Sequence, residues 1–124
     1  MEIRFAVQEN RLSDPTAVTA ADCEDFVLRG LFWVAEMQGR IVGFSAADDR
    51  NGIIWALFID PLDQGRGIGA ELLTLVCNDL AVKGHQIARL TTDPGTRADR
   101  FYRRQGWIDR GLTENNELQF ERAL

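Results

Sequence analysis

Residues 53–69 read IIWALFIDPLDQGRGIG, an unbroken apolar run followed by a turn rich in glycine. The run Ile53–Ile59 has the length and composition of a β-strand buried on both faces of a sheet. Asp60-Pro61 breaks that strand, and the turn Gln64–Gly69 comes directly before a helical pattern. A strand, a short loop and a helix in this order predict a phosphate site, because the first turn of a helix has unpaired N–H groups and the positive end of the helix dipole.

Phosphate-binding turns differ in their spacing, and spacing separates the classes here. A P-loop requires lysine and then serine or threonine at the helix start, and residues 64–70 contain none of these. A dinucleotide-binding turn has the pattern G-x-G-x-x-G, whereas these glycines fall at positions 65, 67 and 69. Both classes are disfavoured. A glycine turn can also begin a helix without binding any ligand, so this motif needs support from the rest of the chain.

The patterns on either side of this stretch predict a mixed α+β protein. Period-two alternation predicts a first strand over Glu2–Val7, and Thr16–Gly30 has the pattern of an amphipathic helix. Two β-prone runs flank Gln38-Gly39 and predict a hairpin over 31–47. The elements expected further along are a helix over 70–83, a strand over 87–92, a short helix over 96–105 and two weaker strands over 107–124.

Composition predicts a single domain over residues 1–124 and excludes several partners. Acidic residues number 19 and basic residues 14, and no basic cluster could follow a nucleic acid backbone, so no nucleic acid partner is expected. Cys23 and Cys77 are too few for a disulfide framework and are expected to be reduced packing residues. Without a leader or an apolar run of roughly 18 residues, a cytoplasmic protein with no membrane partner is expected. No metal site is expected.

Two motifs together resemble one known family. Gln64-x-x-Gly67-x-Gly69, preceded by Ile59-Asp60-Pro61, resembles the pyrophosphate-binding signature of the GNAT acetyltransferases, which is Gln or Arg, two residues, Gly, one residue, and Gly or Ala. Ala98-x-x-Phe101-Tyr102-x-x-x-Gly106-Trp107 resembles the second motif of that family. The resemblance covers residues 40–107, and two linked motifs at this separation are hard to explain by chance. One departure is Gly95, where family members often have an asparagine that contacts the cofactor.

The resemblance implies the GNAT fold, a central mixed β-sheet flanked by helices, here with a shortened N-terminal helical region. It implies acetyl-CoA as cosubstrate, with its pantetheine arm on strand backbone between two diverging parallel strands and its pyrophosphate on the amides of the glycine turn. The implied cofactor-binding residues are Leu57, Phe58, Ile59, Gln64, Gly65, Arg66, Gly67, Ile68, Gly69 and Ala70.

The resemblance also implies a reaction, the direct transfer of an acetyl group to an amine acceptor that is a small molecule or a peptide. Tyr102 would be the general acid for the departing thiolate, since a phenol with an ordinary pKa near ~10 is protonated at neutral pH. The general base is unassigned, because Ile53–Ile59 has no ionisable side chain. Glu36 and Asp93 are candidates, and His85 is expected to be a surface residue despite its suitable pKa.

Two further functions stay open beside the enzyme. The first is a non-catalytic acyl-CoA-binding or regulatory module, which Gly95 and the missing acid on the strand favour. The second is an interaction domain whose glycine turn binds no nucleotide. The resemblance also implies that the short N-terminal region leaves either an open site for a bulky acceptor or a wall that a second subunit supplies, and of these we expect the homodimer.

Overall fold

A computed structural model describes residues 3–7 and 31–124, and these residues form one seven-stranded mixed sheet with two α-helices. The strands are β1 Ile3–Val7, β2 Phe32–Met37, β3 Arg40–Asp48, β4 Ile53–Ile59, β5 Ile87–Thr92, β6 Ile108–Leu112 and β7 Leu118–Ala123. The helices are α1 Ile68–Val82 and α2 Arg97–Arg104, and Pro61–Asp63 forms a short 3-10 turn. The predicted helix over 16–30 and Cys23 lie outside the described residues.

The order of the strands is β1-β2-β3-β4-β5-β7-β6. Every neighbouring pair is antiparallel except β4 and β5, which are parallel and are connected through α1. This arrangement confirms the predicted mixed sheet flanked by helices.

The hairpin predicted around Gln38-Gly39 is confirmed, with β2 and β3 as its strands. Gln38 and Gly39 have φ angles of 54° and 76°, so both central residues of the turn take the left-handed conformation that a two-residue hairpin turn prefers. Met37 pairs with Arg40 directly across the turn. The hairpin places Arg40 next to the loop that follows β4.

Helix α1 packs its apolar face against the sheet. Leu72, Leu73, Val76 and Leu80 recur at helical spacing, and each is at most 1% exposed. Two polar contacts add to this packing: Ser45 Oγ donates to the Leu72 carbonyl at 3.1 Å, and the indole N–H of Trp33 donates to Asp79 at 2.6 Å. The helix begins at Ile68, two residues before the predicted start, because the glycine turn itself leads into the first helical turn.

Strand β4 corrects one prediction. The run Ile53–Ile59 was expected to be buried on both faces, but of its residues only Ile54 is fully buried. Ile53 is 39% exposed and Phe58 is 49% exposed. For Phe58 the physical reason is that β4 and β5 share a single registered pair, Ile53↔Arg89, and then diverge, whereas Ile53 is exposed as the first residue of the strand. The second half of β4 therefore faces an opening instead of a neighbouring strand.

Candidate functional site

A crevice opens between β4 and β5 at their carboxyl ends. These parallel strands pair only at their start, through Ile53 and Arg89, whereas β3 continues along the other side of β4 with Ser45 opposite Leu57 and Phe44 opposite Phe58. Among the described strands, the backbone of Leu57–Ile59 is thus paired only with β3. Crevices at the carboxyl ends of parallel strands are common ligand sites in α/β sheets.

The glycine turn lies at the mouth of this crevice and leads into α1. Gly67 is the N-cap residue of α1, with φ of 78°, and no side chain caps the helix. A Cβ atom built on Gly65 or on Gly67 would meet no atom of the other described residues within 4 Å. The turn is thus open around Gly65 and Gly67, and no side chain caps the first N–H groups of α1. This geometry fits an anionic group such as a phosphate.

The two sequence motifs meet in space at Gly69. A Cβ atom on Gly69 would lie 3.4 Å from the ring of Phe101 and 3.6 Å from Ile59. Residues from β4, α1 and α2 thus contact one another at the inner end of the turn. The contact explains why the two motifs occur together, since the aromatic residue of the second motif packs against the last glycine of the first.

The residues predicted to bind the cofactor differ in the groups that they can offer to a ligand. Ile68 is 2% exposed, and its side chain packs in the core with partly buried Leu57 and Ile59. These three residues offer only backbone groups to a ligand. Phe58 points to the opposite face of β4, since side chains alternate along a strand, and its ring stacks on Phe44 at 5.6 Å. In the turn, Gln64, Gly65, Arg66 and Gly67 are exposed, and Gly69 and Ala70 are half-buried.

Tyr102 lies on α2 and is 7% exposed. Its ring packs against Phe101, Trp107 and Phe120 at centroid distances of 5.3, 6.0 and 5.8 Å. Burial raises the pKa of Tyr102 to about 12, and no other described residue hydrogen-bonds its hydroxyl. The phenol is therefore protonated at any ordinary pH, which suits a proton donor, and its ring also contributes to the core.

The backbone of Gly95 is already engaged within the chain. Its N–H donates to Asp99 at 2.8 Å, and its carbonyl accepts from Arg100 at 3.2 Å. The Gly95 N–H bond and the Arg103 guanidinium together lower the pKa of Asp99. Asp99 in turn accepts from Arg103 at 2.7 Å, so it stays ionised and fixes the loop before α2. Gly95 thus does not replace, through its own N–H, the contact that an asparagine would make.

The three ionisable residues considered as a general base lie in different places. Glu36 is on β2, two strands away from β4, which corresponds to roughly 10 Å at ordinary strand spacing. His85 precedes β5 at the end where β4 and β5 still pair, and it contacts the Asp49 carbonyl. Asp93 follows the last residue of β5 and is exposed beside the open end of the crevice. Only Asp93 lies next to the site.

Sequence reasoning missed an ion-pair network beside the glycine turn. Arg40 Nη1 donates to Asp60 Oδ2 at 3.0 Å and to Asp63 Oδ2 at 3.2 Å. Asp63 is 2% exposed, although a carboxylate in a turn is ordinarily on the surface. In the sequence Asp60 and Asp63 indicated only that strand β4 ends there. Because Arg40 is 20 residues before Asp60, no local pattern could have revealed the network.

Cys77 and the remaining candidate groups bear little on the site. Cys77 is 6% exposed, and burial raises the pKa of its thiol to about 11, so it is a packing residue without thiolate character.

Among residues 3–7 and 31–124, no cluster of three His, Cys, Asp or Glu side chains could hold a metal ion. In the same part of the chain, no helix has both the length and the apolar character needed to cross a bilayer.

Comparison with known proteins places this geometry in a family. A model of the acetyltransferase (GNAT) domain matches residues 21–119. An uncharacterised ycf52-like N-acetyltransferase from Prochlorococcus marinus is 38% identical over 71 residues, which are 55% of this chain. The match covers 38% of that relative, so this chain corresponds to well under half of its length.

Solved structures show the same fold at low sequence identity. The PaiA N-acetyltransferase of Thermoplasma acidophilum, solved with coenzyme A, has a TM-score of 0.72 at 18% identity, covering 84% of this chain and 70% of that protein. A putative GNAT acetyltransferase of Desulfovibrio desulfuricans has a TM-score of 0.72 at 17% identity, covering 98% of this chain and 99% of that protein. With a family match over most of its length and this fold, the chain belongs to the GNAT acetyltransferase family.

Proposed function

We propose that this protein transfers the acetyl group of acetyl-CoA to the amino group of an acceptor. The observation that carries the proposal is the start of α1, which no side chain caps and where the turn is open around Gly65 and Gly67. Family membership supports the same reading. The relative from Prochlorococcus is named an N-acetyltransferase, and the Thermoplasma structure contains coenzyme A.

The cofactor would lie along β4 and over the start of α1. The backbone of Leu57–Ile59 would take the pantetheine arm, because this segment lacks a paired strand on its β5 side. The amides of 65–70 would take the pyrophosphate, with Gln64 and Arg66 exposed nearby. Side chains contribute little to this binding, since Leu57, Ile59 and Ile68 pack inwards.

The chemistry would be a direct attack. The nitrogen of a neutral acceptor amine forms a bond to the thioester carbonyl carbon, a backbone N–H stabilises the oxyanion, and the carbon–sulfur bond breaks. The Tyr102 hydroxyl gives its proton to the departing sulfur. Burial keeps this hydroxyl protonated, with a pKa of about 12. The amine loses its own proton to water or to a base, and of the three residues considered as a base, Asp93 lies beside the crevice.

The acceptor is an amine of a small molecule or a peptide, and we propose a homodimer as the working assembly. The sequence pattern over 16–30 predicts a single helix between β1 and β2. A second copy would complete the wall of the acceptor site. The described fold would occupy the whole of residues 1–124 as one domain.

An amine panel tests the proposal. The purified protein is incubated with acetyl-CoA and with polyamines, amino-acid amides, aminoglycosides and short peptides, and free thiol is measured over time. Acceptor-dependent thiol release is expected, with an acetylated product confirmed by mass spectrometry. Coenzyme A binding without release for any amine would favour the non-catalytic module. Absence of both binding and release would favour the interaction domain.

A further inference from the structure

A network of ion pairs fixes the loop between β4 and the glycine turn. Asp63 is almost fully buried, and its close cation is Arg40, at 3.2 Å. The same nitrogen of Arg40 also contacts Asp60 at 3.0 Å, and the other oxygen of Asp60 accepts from the Leu62 N–H at 3.0 Å. Arg40 therefore ties both ends of the 3-10 turn to the β2–β3 hairpin.

Arg66 belongs to the same network but is held loosely. Its Nε lies 3.8 Å from Asp63 Oδ1, which is longer than a hydrogen bond, and 45% of its side chain is exposed. Asp63 thus has one cation in close contact and a second at the limit of an ion pair. Arg66 stands between Gly65 and Gly67, in the turn where the phosphates of the cofactor would lie.

A buried carboxylate beside a phosphate site needs a permanent counter-ion. Like charges repel strongly where water is excluded, and a buried charge without a partner is costly. Without Arg40, the nearest remaining cation of the network for Asp63 is Arg66, and Asp63 would draw it inwards. With Arg40 in place, Asp63 keeps a close cation, shared with Asp60, whether or not Arg66 leaves.

We propose that Arg40 is a positioning residue that releases Arg66 for the cofactor. Arg40 remains paired with Asp60 and Asp63, while Arg66 exchanges its contact with Asp63 for a phosphate of coenzyme A. The inference rests on the proposed function, since it assumes that coenzyme A binds at the glycine turn. It adds to that function a role for Arg40, which lies in the β2–β3 hairpin, and a defined change of partner for Arg66.

Calorimetric titration with coenzyme A tests the exchange in four proteins: wild type, Arg40→Gln, Asp63→Asn and the double variant. Arg40→Gln is expected to weaken coenzyme A binding on the order of fivefold, the effect of losing one moderately strong ion pair. Adding Asp63→Asn to it is expected to restore most of the affinity, because the carboxylate that captures Arg66 is gone. Asp63→Asn alone is expected to bind coenzyme A at least as tightly as wild type.

Controls separate this role from a purely structural one. Arg110→Gln removes an exposed arginine whose partner, Glu121, lies on β7 away from the turn, and it should leave the affinity unchanged. Pantetheine, which lacks the phosphates, is titrated in parallel by NMR and should bind wild type and Arg40→Gln equally. Arg66→Gln should weaken binding in wild type and do little in Arg40→Gln, where Arg66 is already captured.

Several results would overturn the proposal. The first is that Arg40→Gln binds coenzyme A as tightly as wild type does. The second is that the double variant does not regain the affinity that Arg40→Gln loses. The third is that Arg40→Gln weakens pantetheine binding as much as it weakens coenzyme A binding. If Arg40→Gln does not fold, Asp63→Asn alone decides, and weaker binding by that variant contradicts the exchange. If wild type does not bind coenzyme A, the proposed function fails and this inference fails with it. If wild type binds coenzyme A but the effects of Arg40→Gln and Arg66→Gln on the affinity are additive, the exchange of partners by Arg66 is contradicted and the proposed function still stands.

Discussion

Tyr102 packs among three aromatic rings, so a test of its chemistry must leave that packing intact. Tyr102→Phe keeps the ring and removes a hydroxyl that no other described residue hydrogen-bonds. We expect kcat for acetyl transfer to fall by about a hundredfold or more, the usual contribution of a general acid. Stability at neutral pH should change little, as thermal unfolding would show. A kcat equal to that of wild type would leave Tyr102 as a packing residue only.

The pH dependence of Tyr102 follows from its burial. Its folded pKa is about 12, above the ordinary value of 10.0, so the unfolded state releases this proton first as pH rises. The contribution of Tyr102 to stability is complete below pH 10 and is lost between about 10 and about 12. In denaturant titrations, wild type should lose more stability than Tyr102→Phe across that range. Equal losses would mean that the hydroxyl is not buried.

At the scale of elements, the pairing of β3 with β4 depends on Gly43. A Cβ atom there would lie 2.8 Å from the Phe58 carbonyl oxygen and 3.2 Å from the Leu72 side chain. Gly43→Ala should therefore push β3, β4 and α1 apart and cost about 1–3 kcal/mol of unfolding free energy, as overpacking does. Gly69→Ala is the control, because its Cβ would make ordinary contacts in a helix. Chemical denaturation should show a large loss for Gly43→Ala only.

Elements were predictable from sequence where local pattern determines them. The Gln38-Gly39 turn and the helical pattern that follows the glycine turn each depend on a few neighbouring residues, and both are found. The burial of β4 was predicted wrongly, because composition does not show whether a neighbouring strand continues to pair. That depends on where β5 diverges, which is a property of the sheet.

Some features of the candidate site could likewise be predicted from the sequence, and others could not. The turn at 64–69 and the motif at 98–107 were visible in the sequence, and the structure brings them together at Gly69 and Phe101. Arg40 was not visible, because its contacts with Asp60 and Asp63 join parts of the chain that only the folded hairpin brings together. A general base was not visible either, since β4 carries no acid.

At the scale of the whole molecule, one edge of the sheet is open. β6 is an edge strand whose five residues are all exposed, including Ile108 at 53% and Leu112 at 60%. Ile108 and Leu112 are exposed apolar surface that contact with a second copy would bury. We therefore expect a homodimer by sedimentation equilibrium at micromolar concentration. A monomer of 14.0 kDa at every concentration would contradict the proposed assembly.

The most direct test of the account is the affinity for coenzyme A when a negative side chain is placed in the glycine turn. Gly67→Glu puts a carboxylate where the pyrophosphate would lie. Gly39→Glu is a matched control, because Gly39 has nearly the same φ, 76° against 78°, and equally open surroundings, but lies in the β2–β3 turn. Both variants should lose a similar amount of stability, about 1 kcal/mol or more for a left-handed residue with a side chain.

Calorimetric titration with coenzyme A should show binding by wild type and by Gly39→Glu and no measurable binding by Gly67→Glu. That result would place the cofactor phosphates at the start of α1. Absence of binding by wild type at millimolar coenzyme A, or equal affinity in the two glutamate variants, would contradict the claim that this turn holds the cofactor.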